Sequence, residues 1–299
     1  MGSTTYYLEP KALATRLALD GLVEQCGLPI RQLIARFDLA GRSLMSVGAG
    51  GAFEEIAFLQ NGMRRAFLFD IDEHNSLTSI LPTLQSPSPA AAPIVYTLDD
   101  FTKVQPDSDL LGPIGLLYFS GFTPDEMHRG AIHRAHIAAL RSGGERRHGD
   151  PDWPAKASPL HPIVLTAIDR YLPDDGIVII QSYFDGIDVL ANPGYVEQWA
   201  RSLAEHHVAL LEGYCFRASS AVTLWIGIKL AGDGARSGRG RLSEARERLE
   251  MRPPLTRFHG RAMLEDKTIL RFYPSGGWAR LATSMKAKAK LALRPLLRR

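Results

Sequence analysis

The sequence predicts a doubly wound α/β domain built on a mostly parallel, seven-stranded sheet. Three observations carry this reading. From Ser43 to Asp72 the chain runs apolar segment, glycine turn, amphipathic segment, apolar segment, acid, which is the order of a nucleotide-binding βαβ unit. Apolar runs then alternate with helical patterns along most of the chain, as crossovers between parallel strands require. Runs such as Ile114 to Phe119 are apolar nearly throughout, as in strands covered on both faces.

Residues 5 to 40 read as helical and predict an N-terminal cap over 1–41. Pro10 opens one amphipathic run, and Leu22, Val23, Leu28, Leu33 and Ile34 continue the pattern past Gly21 and Gly27. Ser43 to Val47 is the first strand. It breaks into Gly48-Ala49-Gly50-Gly51-Ala52, and a helix carrying Phe53, Ile56, Ala57 and Leu59 follows, stopping at Asn61-Gly62. Ala66 to Phe69 is the second strand and ends on Asp70 and Asp72. A helix over Asn75 to Leu84 and a loop at Ser86 to Pro89 lead to the third strand, Pro93 to Asp100, with acids at its carboxyl end. Those acids fit a ligand contact or a simple cap on the next turn.

Ile114 to Phe122 is the fourth strand and its exit. Pro124 to Arg141 reads as a helix bearing His128, His133 and His136. These three span more than two turns and cannot meet on one atom, although His133 and His136 share a face at a spacing that suits a metal pair. A solvated or half-buried helical face is the plainer reading. Ser142 to Pro154 has the composition of a long loop, and its charge, Trp153 and its place after the fourth strand suggest a cover over a substrate. A helix over His161 to Leu172 turns through Pro173-Asp174-Asp175-Gly176 into the fifth strand, Ile177 to Tyr183. After a helix over Pro193 to His206, Val208 to Phe216 and Ala221 to Leu230 are joined only by Arg217 to Ser220. Beyond them, Ala231 to Arg241 reads as a linker, Leu242 to Glu250 as a short charged helix and Thr268 to Tyr273 as a strand.

The glycine turn separates two ligand classes. A dinucleotide fingerprint, G-x-G-x-x-G, needs a glycine where this chain has Phe53, and a free helix N-terminus where it has Glu54-Glu55, whose charges would repel a pyrophosphate. The stretch Ser46-x-Gly48-x-Gly50-x-Ala52 instead resembles the E/D-x-G-x-G-x-G motif of class I (Rossmann-like) S-adenosylmethionine-dependent methyltransferases. Ser46 stands in place of the motif's acid and Ala52 in place of its last glycine. Phe69-Asp70-Ile71-Asp72 resembles the family's acidic end of strand two. The Leu172-Pro173-x-x-Gly176 turn into an apolar strand resembles its entry to strand five. The resemblance covers residues 42 to 230 and makes 42–231 the catalytic domain, with an antiparallel last strand closing the sheet.

It implies S-adenosylmethionine as cofactor, held by Gly48, Ala49 and Gly50. Asp70 would take the ribose hydroxyls, with Ile71 beside it. Asp99, or Asp100 one residue on, would reach the adenine amino group, and Ser120, Gly121 and Phe122 would line the site beside the transferred methyl. The reaction implied is methyl transfer to an oxygen or nitrogen of a small molecule, with Tyr183, Asp185 and His128 as candidate acid–base groups by position and His161 behind them. Tyr118, Phe122 and Tyr183 could stack on a sulfonium or be core. The chain lacks the N/D-P-P-Y/F signature of many enzymes that methylate nucleic-acid bases or protein amides. Two alternatives stay open: attack on the aminocarboxypropyl carbon, as in nicotianamine-type synthases, and a non-catalytic scaffold.

Bulk numbers bound the rest. The 299 residues are 45% apolar and 22% charged, enough for a sizeable core. There is no run of eighteen apolar residues and no signal-like segment at Met1 to Asp20, which predicts a cytoplasmic location. Cys26 and Cys215 are the two cysteines, too few for a disulfide framework or a cysteine-rich zinc site. From Gly232 onward there are 17 Lys and Arg against 6 Asp and Glu, so the body before it is mildly acidic. An acidic body does not suggest a duplex nucleic-acid partner. The basic extension, 232–299, ends in Met285 to Arg299 with six basic residues and no acid, which could lie on an anionic membrane surface or stay solvated.

Overall fold

A strand buried on both faces must send alternate side chains into two cores, and the central strands of this protein do so. The computed structural model describes residues 4–9, 28–71, 81–84, 92–99, 101, 114–120, 160–182, 193–216, 222–230, 235–253, 255 and 269–272. Nine strands among them form one sheet: β1 (Thr4–Leu8), β2 (Ser43–Val47), β3 (Arg65–Asp70), β4 (Ile94–Leu98), β5 (Ile114–Ser120), β6 (Ile177–Ser182), β7 (Val208–Phe216), β8 (Val222–Lys229) and β9 (Ile269–Phe272). Five helices accompany them: α1 (Ile30–Phe37), α2 (Phe53–Gln60), α3 (Pro162–Tyr171), α4 (Pro193–Glu205) and α5 (Ala235–Glu250).

The strand order is β1-β4-β3-β2-β5-β6-β8-β7-β9. Strands β4, β3, β2, β5 and β6 run parallel to one another, and β8 enters antiparallel between β6 and β7. On one face Leu44, Leu68, Tyr96, Leu116 and Ile179 pack with Leu33 and Phe37 of α1, Ile56 and Phe58 of α2, and Ala245 and Leu249 of α5. On the other, Met45, Phe67, Leu117 and Ile180 pack with Val164 and Ile168 of α3 and with Trp199 and Leu203 of α4. Trp199 lies against Trp225 of β8 with ring centroids 4.7 Å apart. The doubly wound α/β expectation holds.

Three expectations are corrected. The sheet has nine strands among the described residues, because a strand joins each edge of the expected seven. Thr4 to Leu8, read as part of a helical cap, is β1, antiparallel to β4, with Thr5 facing Thr97 across a 3.3 Å hydroxyl contact. Its β-branched and aromatic residues suit a pleated surface, and the helical pattern that begins at Pro10 does not reach back to them. At the far end, β9 pairs antiparallel with β7, so the strand read within Thr268 to Tyr273 belongs to the same sheet. The stretch read as a linker is helical from Ala235, one helix with the charged segment after it; α5 is rich in arginine, a good helix former, and is anchored by Ala245 and Leu249.

Of the helix expected over Asn75 to Leu84, Leu81–Leu84 forms a 3₁₀ turn. The expected helix over Pro124 to Arg141 and the loop after it lie outside the described residues, as does the basic segment Met285 to Arg299. Among the described residues no helix is long and apolar enough to cross a membrane.

Candidate functional site

The strand order reverses between β2 and β5. From β2 the chain proceeds outward through β3 and β4; after β5 it proceeds the other way through β6. Connections therefore leave the carboxyl ends of β2 and β5 in opposite directions, and the crevice between them is where open α/β sheets bind ligands. The glycine turn stands at that point, directly after β2.

Its conformation explains its composition. Gly48 and Gly50 have φ of 76° and 49°, in the left-handed region that favours glycine. The Gly48 and Ala49 N–H groups both donate to the Phe69 carbonyl, at 2.8 and 3.1 Å, which ties the turn to the end of β3. The Gly50 N–H donates to Asp70 Oδ2 at 2.5 Å, and the Tyr96 hydroxyl, from β4, donates to the Gly50 carbonyl at 2.9 Å. Ala52, where the motif has a glycine, caps α2 at φ 54°, so it holds a left-handed conformation despite its Cβ.

Asp70 closes β3 and is largely buried, while Ile71 after it is 74% exposed at the rim of the crevice. The Asp99 N–H donates to the Asp70 carbonyl at 3.0 Å, setting the acid ends of β3 and β4 side by side. Ser120 ends β5 one residue past the Val47–Phe119 pair. The structure thus brings Gly48, Ala49, Gly50, Asp70, Ile71, Asp99 and Ser120 to one end of the sheet. The other expected site residues, Asp100, Gly121, Phe122, His128, Tyr183 and Asp185, lie outside the described residues.

Two further residues named from the sequence have definite places. Tyr118 is fully buried, meets Phe58 edge-on and donates to Gln181 Oε1 at 2.6 Å, so it is a core residue rather than a stacking platform. His161 is the N-cap of α3, its Nδ1 accepting from the Ile163 N–H at 3.1 Å. Among the described residues no cluster of three or more His, Cys, Asp or Glu could hold a metal ion.

The largest departure concerns Glu55. As part of a charged pair in the first turn of α2 it should face water. Instead it is 1% exposed, tucked between α2 and β2, where Ser46 Oγ donates to its Oε1 at 2.6 Å. Its Oε2 is buried with no hydrogen-bond partner among the described residues. Burial pushes its carboxyl up to about 8, with the Glu54 and Asp70 charges adding to the rise and the Ser46 hydrogen bond opposing it. Glu55 is therefore mostly a neutral acid at pH 7. Ser46 occupies the place of the motif's acid, and a carboxyl is returned to that place from the helix.

No family model and no curated protein sequence matches the chain. Among solved structures it is similar to a 16S rRNA (adenine(1408)-N(1))-methyltransferase from Catenulisporales acidiphilia, at 12% identity and a TM-score of 0.41, over 69% of this chain and 94% of that one. It is also similar to a ribosomal protein L11 methylase from Lactobacillus delbrueckii subsp. bulgaricus, at 17% identity and a TM-score of 0.34, over 67% and 77%. A third is the YcgJ protein of Bacillus, at 10% identity and a TM-score of 0.39, over 68% and 98%. Similarity of this degree assigns neither activity nor substrate.

Proposed function

We infer that this protein binds S-adenosylmethionine in the crevice at the carboxyl ends of β2 and β5 and transfers its methyl group to an oxygen or nitrogen of a small molecule. One observation carries the reading: a left-handed glycine turn at the point of strand reversal, hydrogen-bonded to the acid that ends the neighbouring strand. The residues fit the cofactor. The φ of 49° at Gly50 favours glycine there, and the same turn presents its N–H to Asp70. A carboxylate accepts about four hydrogen bonds, and that from the Gly50 N–H is among those Asp70 accepts.

In this reading Asp70 takes the ribose hydroxyls, Asp99 the adenine amino group, and Ser120 lies beside the reacting carbon. When bound, the sulfonium supplies an electrophilic methyl. The protein's part is to align a nucleophile with the C–S bond and exclude water. Tyr183, Asp185 and His128 are the proposed acid–base groups for an alcohol acceptor.

The test is incubation with S-adenosylmethionine, followed by mass spectrometry of the products, with Asp70→Ala as control. The expected result is binding by wild type, affinity reduced about tenfold or more in the variant, and S-adenosylhomocysteine formed only when an acceptor is added. Methylthioadenosine released with a cyclic amino acid would redirect the reading to attack on the aminocarboxypropyl carbon. Absence of binding would leave a non-catalytic scaffold.

A further inference from the structure

The buried carboxyl behind the glycine turn needs a reason to be there. Glu55 is the third residue of α2, and the turn Gly48 to Ala52 runs straight into that helix. Ser46, its partner, lies on β2 two residues before Gly48, level with Leu68 of β3 and Tyr118 of β5. The carboxyl therefore sits at the carboxyl end of β2, at the base of the turn and in the row of the switch point.

Among the described residues its surroundings are anionic or neutral. Glu54 on its own helix and Asp70 on β3 both oppose its ionisation, Ser46 on β2 donates to one oxygen, and Tyr118 on β5 spends its hydroxyl on Gln181. From α1, which packs on α2, Arg36 is committed to Glu212. A second oxygen buried with no partner among the described residues carries a desolvation cost. A positive charge brought to the turn would remove the penalty, because its attraction is strong where water is excluded.

We propose that Glu55 is the anionic partner of a cationic group on the ligand that the glycine turn holds, and that its carboxyl ionises, releasing its proton to solvent, as that cation arrives. This rests on the S-adenosylmethionine reading, whose sulfonium and α-ammonium are the two candidate cations. Binding and ionisation are reciprocal: whatever the cation contributes to ionising Glu55, ionised Glu55 contributes to holding the cation. Glu55 is then a positioning and recognition group. The carboxyl that the strand end lacks at Ser46 is supplied by the helix.

The experiment is titration calorimetry of the full chain at pH 7 in two buffers of different ionisation enthalpy, which counts protons released on binding. At that pH a ligand α-ammonium is mostly charged. Wild type should release most of one proton on binding S-adenosylmethionine, and Glu55→Gln should release none and bind about tenfold more weakly. Ser46→Ala keeps the carboxyl but removes the bond that favours its ionised form, so it should release at least as much as wild type. That variant tests the idea even if Glu55→Gln folds poorly. Release with S-adenosylhomocysteine as well would assign the cation to the ammonium, and release with S-adenosylmethionine alone to the sulfonium. The neutral 5′-methylthioadenosine should release nothing. Equal proton release by wild type and Glu55→Gln, with S-adenosylmethionine bound by both, overturns the proposal and leaves the cofactor reading standing. No binding by wild type overturns the cofactor reading itself.

Discussion

Arg36 and Glu212 are 2% and 1% exposed, and neither charge could be left alone at such depth. The Arg36 guanidinium meets the Glu212 carboxylate through both Nε and Nη2, and its Nη1 donates to the carbonyls of Arg252 and Pro253, each at 2.8 Å. The Tyr214 hydroxyl adds a 2.6 Å bond to Glu212 Oε2. Removing one member leaves the other charged, buried and unpaired. Arg36→Ala is therefore expected to lower stability by about 3–5 kcal/mol, read from urea unfolding; a loss below ~1 kcal/mol would mean that water reaches Glu212. Glu55 makes a prediction of opposite character, because it is stabilised as the acid. The folded state keeps its proton up to about pH 8, whereas an ordinary glutamate titrates near 4.5. Between those values the folded state binds the extra proton, so this group's contribution to stability falls as pH rises and levels off above about 8. The unfolding free energy of wild type, from urea titration, should thus decline between pH 5 and pH 8 relative to Glu55→Gln, by an amount on the order of a few kcal/mol. Parallel profiles for the two proteins would refute the buried acid.

Two strands carry a slip that decides which face their side chains reach. In β7, Val208 and Leu210 pack in the core shared with α3 and α4, yet Tyr214 packs in the opposite one. The register shift between Leu210 and Glu212 inserts one residue, and everything after it changes face. That slip delivers Glu212 and Tyr214 to Arg36. In β5 the pairing with β2 slips at Gly115, over which the stem of Arg42 lies. A Cβ at Gly115 would stand 2.2 Å from Arg42 Cδ and 2.6 Å from its Cβ. Gly115→Val should therefore destabilise by about 1–3 kcal/mol through overpacking, a deficit that Arg42→Ala in the same chain should partly relieve in thermal unfolding. These slips mark the boundary of what sequence can convey. The parallel strands and the turn from Leu172 to Gly176 were legible because burial on both faces leaves a dense apolar run between turn residues. Alternation alone does not reveal an inserted residue, so the Arg36–Glu212 pair was invisible. Glu55 was read as a charge for a related reason: a carboxylate in a first helical turn looks ionised unless its strand partner is known. Gly48, Gly50 and Asp70 were legible because their spacing is set by backbone geometry. Tyr96, which holds the Gly50 carbonyl, left no signal beyond being a strand aromatic.

At the scale of the molecule, two helical layers and one sheet place a crevice at the only reversal of the parallel strand order among the described residues, and the edges of the sheet are closed by segments far apart in the chain. β1 covers β4 and β9 covers β7, each antiparallel to the strand it shields. An unpaired edge at β4 or β7 would offer a template to other chains, and here short strands lie along both. The Arg36–Glu212 pair adds a consequence in time. The two residues are 176 positions apart, so at ribosomal speeds the guanidinium waits about 10–35 s for its carboxylate to be made. The Arg36–Glu212 contact can therefore close only after β7 has been made, later than every strand from β2 to β6.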